Sequence, residues 1–168
     1  ASEVAISVTT GGVTAPRGFR SSALHCGIKK SAAALDLAVI ASDGPASAAA
    51  LFTTNLAKAA PVLVSRQHLD RTQGTARAVV VNSGCANACT GTDGLANAER
   101  MASETAAGLG VAPDAVLVAS TGVIGVGLNM DKVVAGIRIA TASLARGKGA
   151  EAAQAIMTTD PDRKSTRL

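Results

Sequence analysis

From Ala78 onward the sequence alternates between two textures, and this alternation restricts the fold more than any other feature. Short runs that are almost wholly apolar, Ala78 to Asn82 and Val116 to Ser120, have the character of buried strands. Between and after them, apolar residues recur at helical spacing over roughly Asp93 to Leu109, Met130 to Leu144 and Ala150 to Met157. Thr92 and Asn129 stand where the N-caps of the first two helices are expected. The front third reads as strands and turns, with strands expected at Val4 to Val8, Leu35 to Ala41, Ala49 to Thr53 and Pro61 to Ser65. The stretch "ARGKGAEAA" reads as a loop between two helices, and no repeat, low-complexity run or linker divides the chain. Residues 1–168 are therefore expected to form a single domain.

Composition says how such layers must pack. The chain is 48% apolar with a mean hydropathy of +0.30, yet it has two Phe and no Trp or Tyr. A core built from Ala, Val, Leu and Ile packs at short distances between elements, which favours tightly layered α/β structure. The formal charge of +4 is mild, the basic residues outside the last positions are scattered, and no aromatics alternate with them to stack bases. Nucleic-acid binding is excluded as a leading reading on those grounds. Three cysteines leave one thiol unpaired and fit a reducing cytoplasm rather than a disulfide scaffold. The opening "ASEVAISVTTGG" lacks a basic start followed by an apolar segment, and no window approaches ~18 uninterrupted apolar residues, so neither a leader nor a membrane span is expected.

Three stretches hold chemistry-bearing residues. In "VVVNSGCANACTGTDG", Val79 to Gly94, a buried-type strand breaks into small, turn-forming residues before a helix. That arrangement can offer backbone N–H groups to an anion, or it can simply pack tightly; Gly84, Gly91 and Gly94 do not have the spacing of a nucleotide loop. Cys85 and Cys89 with the distant His25–Cys26 pair form no strong zinc pattern, and His25 and Cys26, adjacent in sequence, would point to opposite faces of a strand. In "VLVASTGVIGVG", Val116 to Gly127, a strand ends in Ser120, Thr121 and Gly122. A glycine directly after a strand frees its N–H to turn toward a ligand, and the neighbouring threonine hydroxyl adds a second donor; two converging donors make an oxyanion hole, although a plain strand exit has the same sequence. In "QAIMTTD" a helix delivers Thr158, Thr159 and Asp160, whose hydroxyls could cap the helix end or face a cleft. Nothing within the chain supplies an activated nucleophile beside an orienting base.

Taken together, six stretches resemble the ornithine acetyltransferase, or glutamate N-acetyltransferase, family: "GVTAPRGFRSSALHCGIK", "FTTNLAKAAPV", "NSGCANACTG", "STGVIG", "MDK" and "AIMTTD", in that order and over nearly the whole chain. The resemblance implies a layered αββα-type sandwich of the N-terminal-nucleophile kind, completed by a second chain. It implies an α subunit cut from a self-cleaving precursor, whose β chain begins with the nucleophilic Thr, in an α2β2 assembly in the cytoplasm. The reaction implied passes the acetyl group of N-acetylornithine to that Thr and then to glutamate. By matching motif, Thr121 and Gly122 correspond to the oxyanion hole and Thr158 to a substrate-binding hydroxyl. No cofactor and no metal are implied; acetyl-CoA enters only as an acetyl donor in bifunctional members. The family's α chains continue past "MTTD" through a substrate-binding lysine to the cleavage site, so the resemblance further implies an α subunit truncated at its C-terminus. Asn129 stands where the family commonly has proline, and Cys85 occupies a variable motif position. The rival readings are a non-catalytic α/β module that holds a small anion, and a related aminopeptidase-like hydrolase that passes the acyl group to water.

Overall fold

The alternation of strand and helix resolves into one mixed sheet. The computed structural model describes residues 12–158, with strands β1 (Phe19–Leu24), β2 (Leu37–Ser47), β3 (Thr75–Cys85) and β4 (Val116–Val123) lying side by side in that order. The β1–β2 and β2–β3 pairs are antiparallel, and β3–β4 is parallel, in register from Ala78 opposite Val116 to Cys85 opposite Val123. A parallel pair needs a crossover, which helix α2 (Gly91–Leu109) supplies. Helices α1 (Ala60–Arg71), α3 (Met130–Ala142) and α4 (Gly149–Ala155) and two 3-10 turns, Gly12–Thr14 and Pro113–Ala115, complete the described elements.

One face of the sheet carries the core. Leu37 and Val39 of β2, Val80 of β3 and Val116 and Val118 of β4 meet Val64 of α1, Met101 and Ala102 of α2, and Val133 and Ile137 of α3. The short packing distances expected of a ring-poor core are explicit at Gly136. A methyl added there would lie 2.6 Å from Cys26 Cβ and 2.8 Å from Leu37 Cδ2, so α3 rests on the sheet through a residue with no side chain. The opposite face is covered in part only: α4 packs Ala152 and Ala155 against Ala38, while Ile40, Val79, Val81, Leu117 and Ala119 stay half-buried. The described residues form one four-stranded sheet with α1, α2 and α3 on one face and α4 on the other.

β4 is an edge strand, and α1 closes its outer side. Ser65 Oγ donates to the Val118 carbonyl at 2.7 Å and accepts the Val118 N–H at 2.8 Å, and His68 Nδ1 donates to the Val116 carbonyl at 2.7 Å. These bonds replace the ladder a fifth strand would supply and protect the edge from foreign pairing. They also explain a correction: Pro61 to Ser65 is helix, not strand. Pro61 sits in the first turn, where its fixed φ and missing N–H fit, and Val64, Ser65, His68 and Leu69 turn one face inward at helical spacing.

Other expectations divide. Ala49 to Thr53 joins no strand, since β2 ends at Ser47 and Leu51 is fully exposed. β1 has no counterpart in the expected strands, because "FRSSAL" lacks an apolar run; Ser22 Oγ lies 2.9 Å from Ser143 Oγ and the Ser21 main chain pairs with Ala145, while the buried Ser21 Oγ has no partner among the described residues. Asn129 caps α3 by accepting the Lys132 N–H at 3.2 Å. Thr92 does not cap α2, which begins one residue earlier at Gly91 after Thr90. The expected strand at Val4 to Val8 lies outside the described residues.

Between β1 and β2 a fully buried carboxylate organises the backbone. Asp36 accepts the N–H groups of Cys26 at 2.6 Å, Gly27 at 3.2 Å, Ile28 at 2.8 Å and Lys29 at 2.9 Å. Burial alone would raise its pKa; the N–H donors, led by Cys26 and Lys29, outweigh that and hold the carboxyl below its ordinary value. Its contribution to stability is therefore whole above the unfolded pKa of about 3.9 and is lost as pH falls through the lower folded value. Asp36→Asn, which points an amide NH2 at N–H donors, is expected to lose about 3 kcal/mol in urea unfolding at pH 7 and to show a shallower loss of stability across that acid window.

Candidate functional site

The C-terminal ends of the parallel pair β3 and β4 bring the small-residue motifs together. Asn82, Ser83 and Gly84 lie opposite Ser120, Thr121 and Gly122. Asn82 is fully buried; its Oδ1 accepts from Ser120 Oγ at 2.5 Å and its Nδ2 donates to the Cys85 carbonyl at 2.8 Å, which fixes the strand ends to each other. Gly122 has φ +130°, and a methyl there would lie 2.4 Å from the Gly84 carbonyl carbon and 2.6 Å from the Cys85 nitrogen. Backbone therefore packs on backbone at this point, and no L side chain fits the space or the dihedral. Gly84 is squeezed from its other side, since a methyl on it would meet Ile28 Cγ2 at 2.9 Å.

The loop that follows β3 concentrates unusual backbone. Asn87 and Cys89 have φ of +47° and +56°, although neither is glycine. Asn87 is held there by its own side chain, whose Nδ2 donates to the Gly94 carbonyl at 2.8 Å and whose Oδ1 accepts from Thr90 Oγ1 at 2.9 Å. Left-handed positions outside glycine cluster where surrounding structure over-determines them, and functional sites are the common case.

Beside these strand ends, on the partly covered face of the sheet, lies a cavity of about 310 Å³. Its walls are mostly apolar: Ile40, Val81 and Ala119 from the sheet, Ala152 and Ile156 from α4 and the residue after it, with Ser120 and Thr121 supplying the polar rim. A concave apolar space with few convergent polar groups is the usual form of a small-molecule site. Thr121 is half-buried and Gly122 exposed, so both can be reached from solvent. Thr158 is exposed and follows Ile156 by two residues, so the segment that carries it leaves from the same cavity. Thr159 and Asp160 lie outside the described residues.

Sequence reading missed the groups that hold the end of α4. Ser83 Oγ donates to the Ala155 carbonyl, and Lys29 Nζ donates to the carbonyls of Met157 at 2.6 Å and Leu35 at 2.9 Å. Burial lowers the pKa of Lys29, with the Asp36 charge opposing. Neither contact has a local signal, since the partners are separated by 72 and 128 positions.

Cys26 has no nucleophilic character at neutral pH. The Cys26 thiol is pushed up to about 12 by burial, and the Asp36 charge adds to the effect, so it stays protonated at neutral pH. Cys85 is buried with its thiol 3.0 Å from the Val126 carbonyl, and Cys89 is exposed. Among the described residues no three His, Cys, Asp or Glu side chains gather in a way that could hold a metal ion.

Comparison with known proteins adds an independent line. The ArgJ family model matches residues 20–168. The arginine biosynthesis bifunctional protein ArgJ of Symbiobacterium thermophilum is 51% identical over 161 residues, which is 94% of this chain and 40% of that protein. Its counterpart in Dehalococcoides mccartyi is 50% identical over 89% of this chain and 36% of its own length. The chain thus spans about 40% of the length of the curated relatives it matches. Among solved structures, the ornithine acetyltransferase of Mycobacterium tuberculosis, complexed with ornithine, superposes with a TM-score of 0.84 at 48% identity, over 90% of this chain and 81% of that one. The arginine biosynthesis bifunctional protein ArgJ of Bacillus halodurans superposes with a TM-score of 0.83 at 37% identity, over 90% of this chain and 78% of that one. With the family model matching residues 20–168, the sequence of a curated relative 51% identical over 94% of the chain and the fold superposing at a TM-score of 0.84, this chain belongs to the ArgJ family.

Proposed function

We propose that this chain is the α part of a glutamate N-acetyltransferase, which moves the acetyl group of N-acetylornithine to glutamate through an acyl-threonine on a second chain. The observation that carries the reading is the end of β4, where Thr121 lines an apolar cavity and the next residue, Gly122, is turned out of strand geometry at φ +130°. Attack on the acetyl carbonyl places negative charge on one oxygen, and donors fixed before the reaction begins stabilise that charge most. The Thr121 hydroxyl and the Gly122 N–H are the two donors in this reading. They are held still by the contact of Gly122 with Gly84 and by the Ser120–Asn82 bond.

Thr158 is the substrate-binding hydroxyl, and the nucleophile is the N-terminal Thr of a β chain cut from the same precursor. Its α-amine serves as base, as in other Thr–amine pairs. The half-buried apolar residues of the sheet's second face support a partner there, and the intact enzyme is read as α2β2 in the cytoplasm. Among the described residues no helix is long and apolar enough to cross a membrane. The reaction needs no metal or resident cofactor, and acetyl-CoA acts only as a second acetyl donor. The two curated relatives named above are called bifunctional, which supports a second activity beside acetyl transfer from N-acetylornithine.

Intact-mass analysis with N-terminal sequencing of the purified full-length enzyme is expected to find a second chain beginning with Thr; a single uncut species overturns the acyl-threonine route. In that enzyme Thr121→Ala is expected to lower kcat on the order of a hundredfold with KM nearly unchanged, because the donor acts mainly on the transition state. A change under about threefold removes Thr121 from the chemistry. Gly122→Ala is expected to lose both turnover and more than about 1 kcal/mol of stability, read by urea unfolding, since its methyl collides with the Gly84 backbone. Acetylornithine consumption that is independent of glutamate would identify a hydrolase instead.

A further inference from the structure

We propose that Lys29 is a positioning residue for substrate binding: by gripping the Met157 carbonyl it sets where Thr158 stands relative to the Thr121–Gly122 strand end. The inference rests on the reading of Thr158 as the substrate-binding hydroxyl. Helix α4 is short, and its final carbonyls have no partners within the helix. Many helices close such an end with a glycine in the left-handed conformation; here Ile156 follows the helix at φ −90° and no glycine is present. At this end the Gln154 carbonyl accepts the Met157 N–H at 3.2 Å, the Ala155 carbonyl is met from across the molecule by Ser83 Oγ, and the Met157 carbonyl, two residues past the helix, by Lys29 Nζ at 2.6 Å.

Lys29 is unusually well placed to transmit position. Its backbone N–H is fixed by Asp36 at 2.9 Å, and its ammonium is anchored a second time on the Leu35 carbonyl at 2.9 Å. Its stem lies against Gly84, where an added methyl would meet Lys29 Cγ at 3.2 Å, and Gly84 is the residue on which Gly122 packs. One side chain therefore touches the backing of the oxyanion strand end and the residue immediately before Thr158. Among the described residues the polar partners of the ammonium are carbonyls rather than a carboxylate, so its charge strengthens hydrogen bonds that hold backbone.

A double-mutant cycle in the full-length enzyme tests this, with N-acetylornithine as the varied substrate. Lys29→Met is expected to raise KM roughly tenfold while kcat stays within about threefold, and Lys29→Arg, which keeps a cationic donor, to restore most of the KM. The double variant Lys29→Met/Thr158→Ala is expected to match Thr158→Ala alone, since Lys29 acts through Thr158. A raised KM in Thr158→Ala with an independent, additive effect of Lys29→Met overturns the role of Lys29 and leaves that of Thr158 standing. An unchanged KM in Lys29→Met, or an equal loss in kcat, overturns it as well. An unchanged KM in Thr158→Ala overturns the assignment of Thr158, and with it this inference. Lys29→Gln, too short to reach Met157 but still polar, carries the same outcomes if Lys29→Met does not fold.

Discussion

The buried carboxylate of Asp36 is the interaction on which the rest of this structure hangs. Its main chain joins β1 through the Leu24 carbonyl at 3.0 Å and β3 through the Ser83 N–H at 2.9 Å, while its side chain gathers four successive N–H groups of the 26–29 loop. A carboxylate withdrawn from water is tolerated only where donors replace its hydration, and here the backbone does so. The consequence reaches the site in steps. The fixed loop presses Ile28 and Lys29 on Gly84, Gly84 leaves room only for backbone at Gly122, and Gly122 completes the strand end beside the cavity.

What could be read from the residues follows from which forces are local. The Val-rich runs of β3 and β4, the periodic patterns of α2 and α3 and the Asn129 cap were legible because burial and capping act within a few positions. Pro61 to Ser65 was misread as strand because a short apolar run has the same composition in either state, and only the demand of the β4 edge for the Ser65 and His68 side chains decides for helix. β1 was invisible for the opposite reason. Its serines carry no hydrophobic signal, and it is a strand because Leu24 to Phe19 pair with Leu37 to Ser42.

The site divides along the same line. Thr121, Gly122 and Thr158 stand out by motif alone, and in place of the exit expected after Ser120 the strand runs on to Val123 with Gly122 inside it at φ +130°. Asn82, Ser83, Lys29 and Asp36 do the holding, yet none announces it by spacing. Their partners are fixed by topology, when β3 is laid beside β2 and β4 and the end of α4 is brought back over the sheet.

The scarcity of aromatic residues and the chemistry of the site are connected. Oxyanion stabilisation by backbone requires that backbone be placed within tenths of an ångström, and large side chains between layers would keep main chains apart. Here Gly136 lets α3 settle on Leu37, and the same economy of side chains lets Gly122 lie directly on Gly84. Close contact also concentrates strain: Gly84, Asn87, Cys89, Gly91 and Gly122, all at positive φ, fall within or beside the ends of one parallel strand pair. Parallel strands direct their C-terminal ends to the same side, so two loops that must each break from strand geometry emerge next to one another. A chain of this composition can therefore fix donor groups with main chain alone.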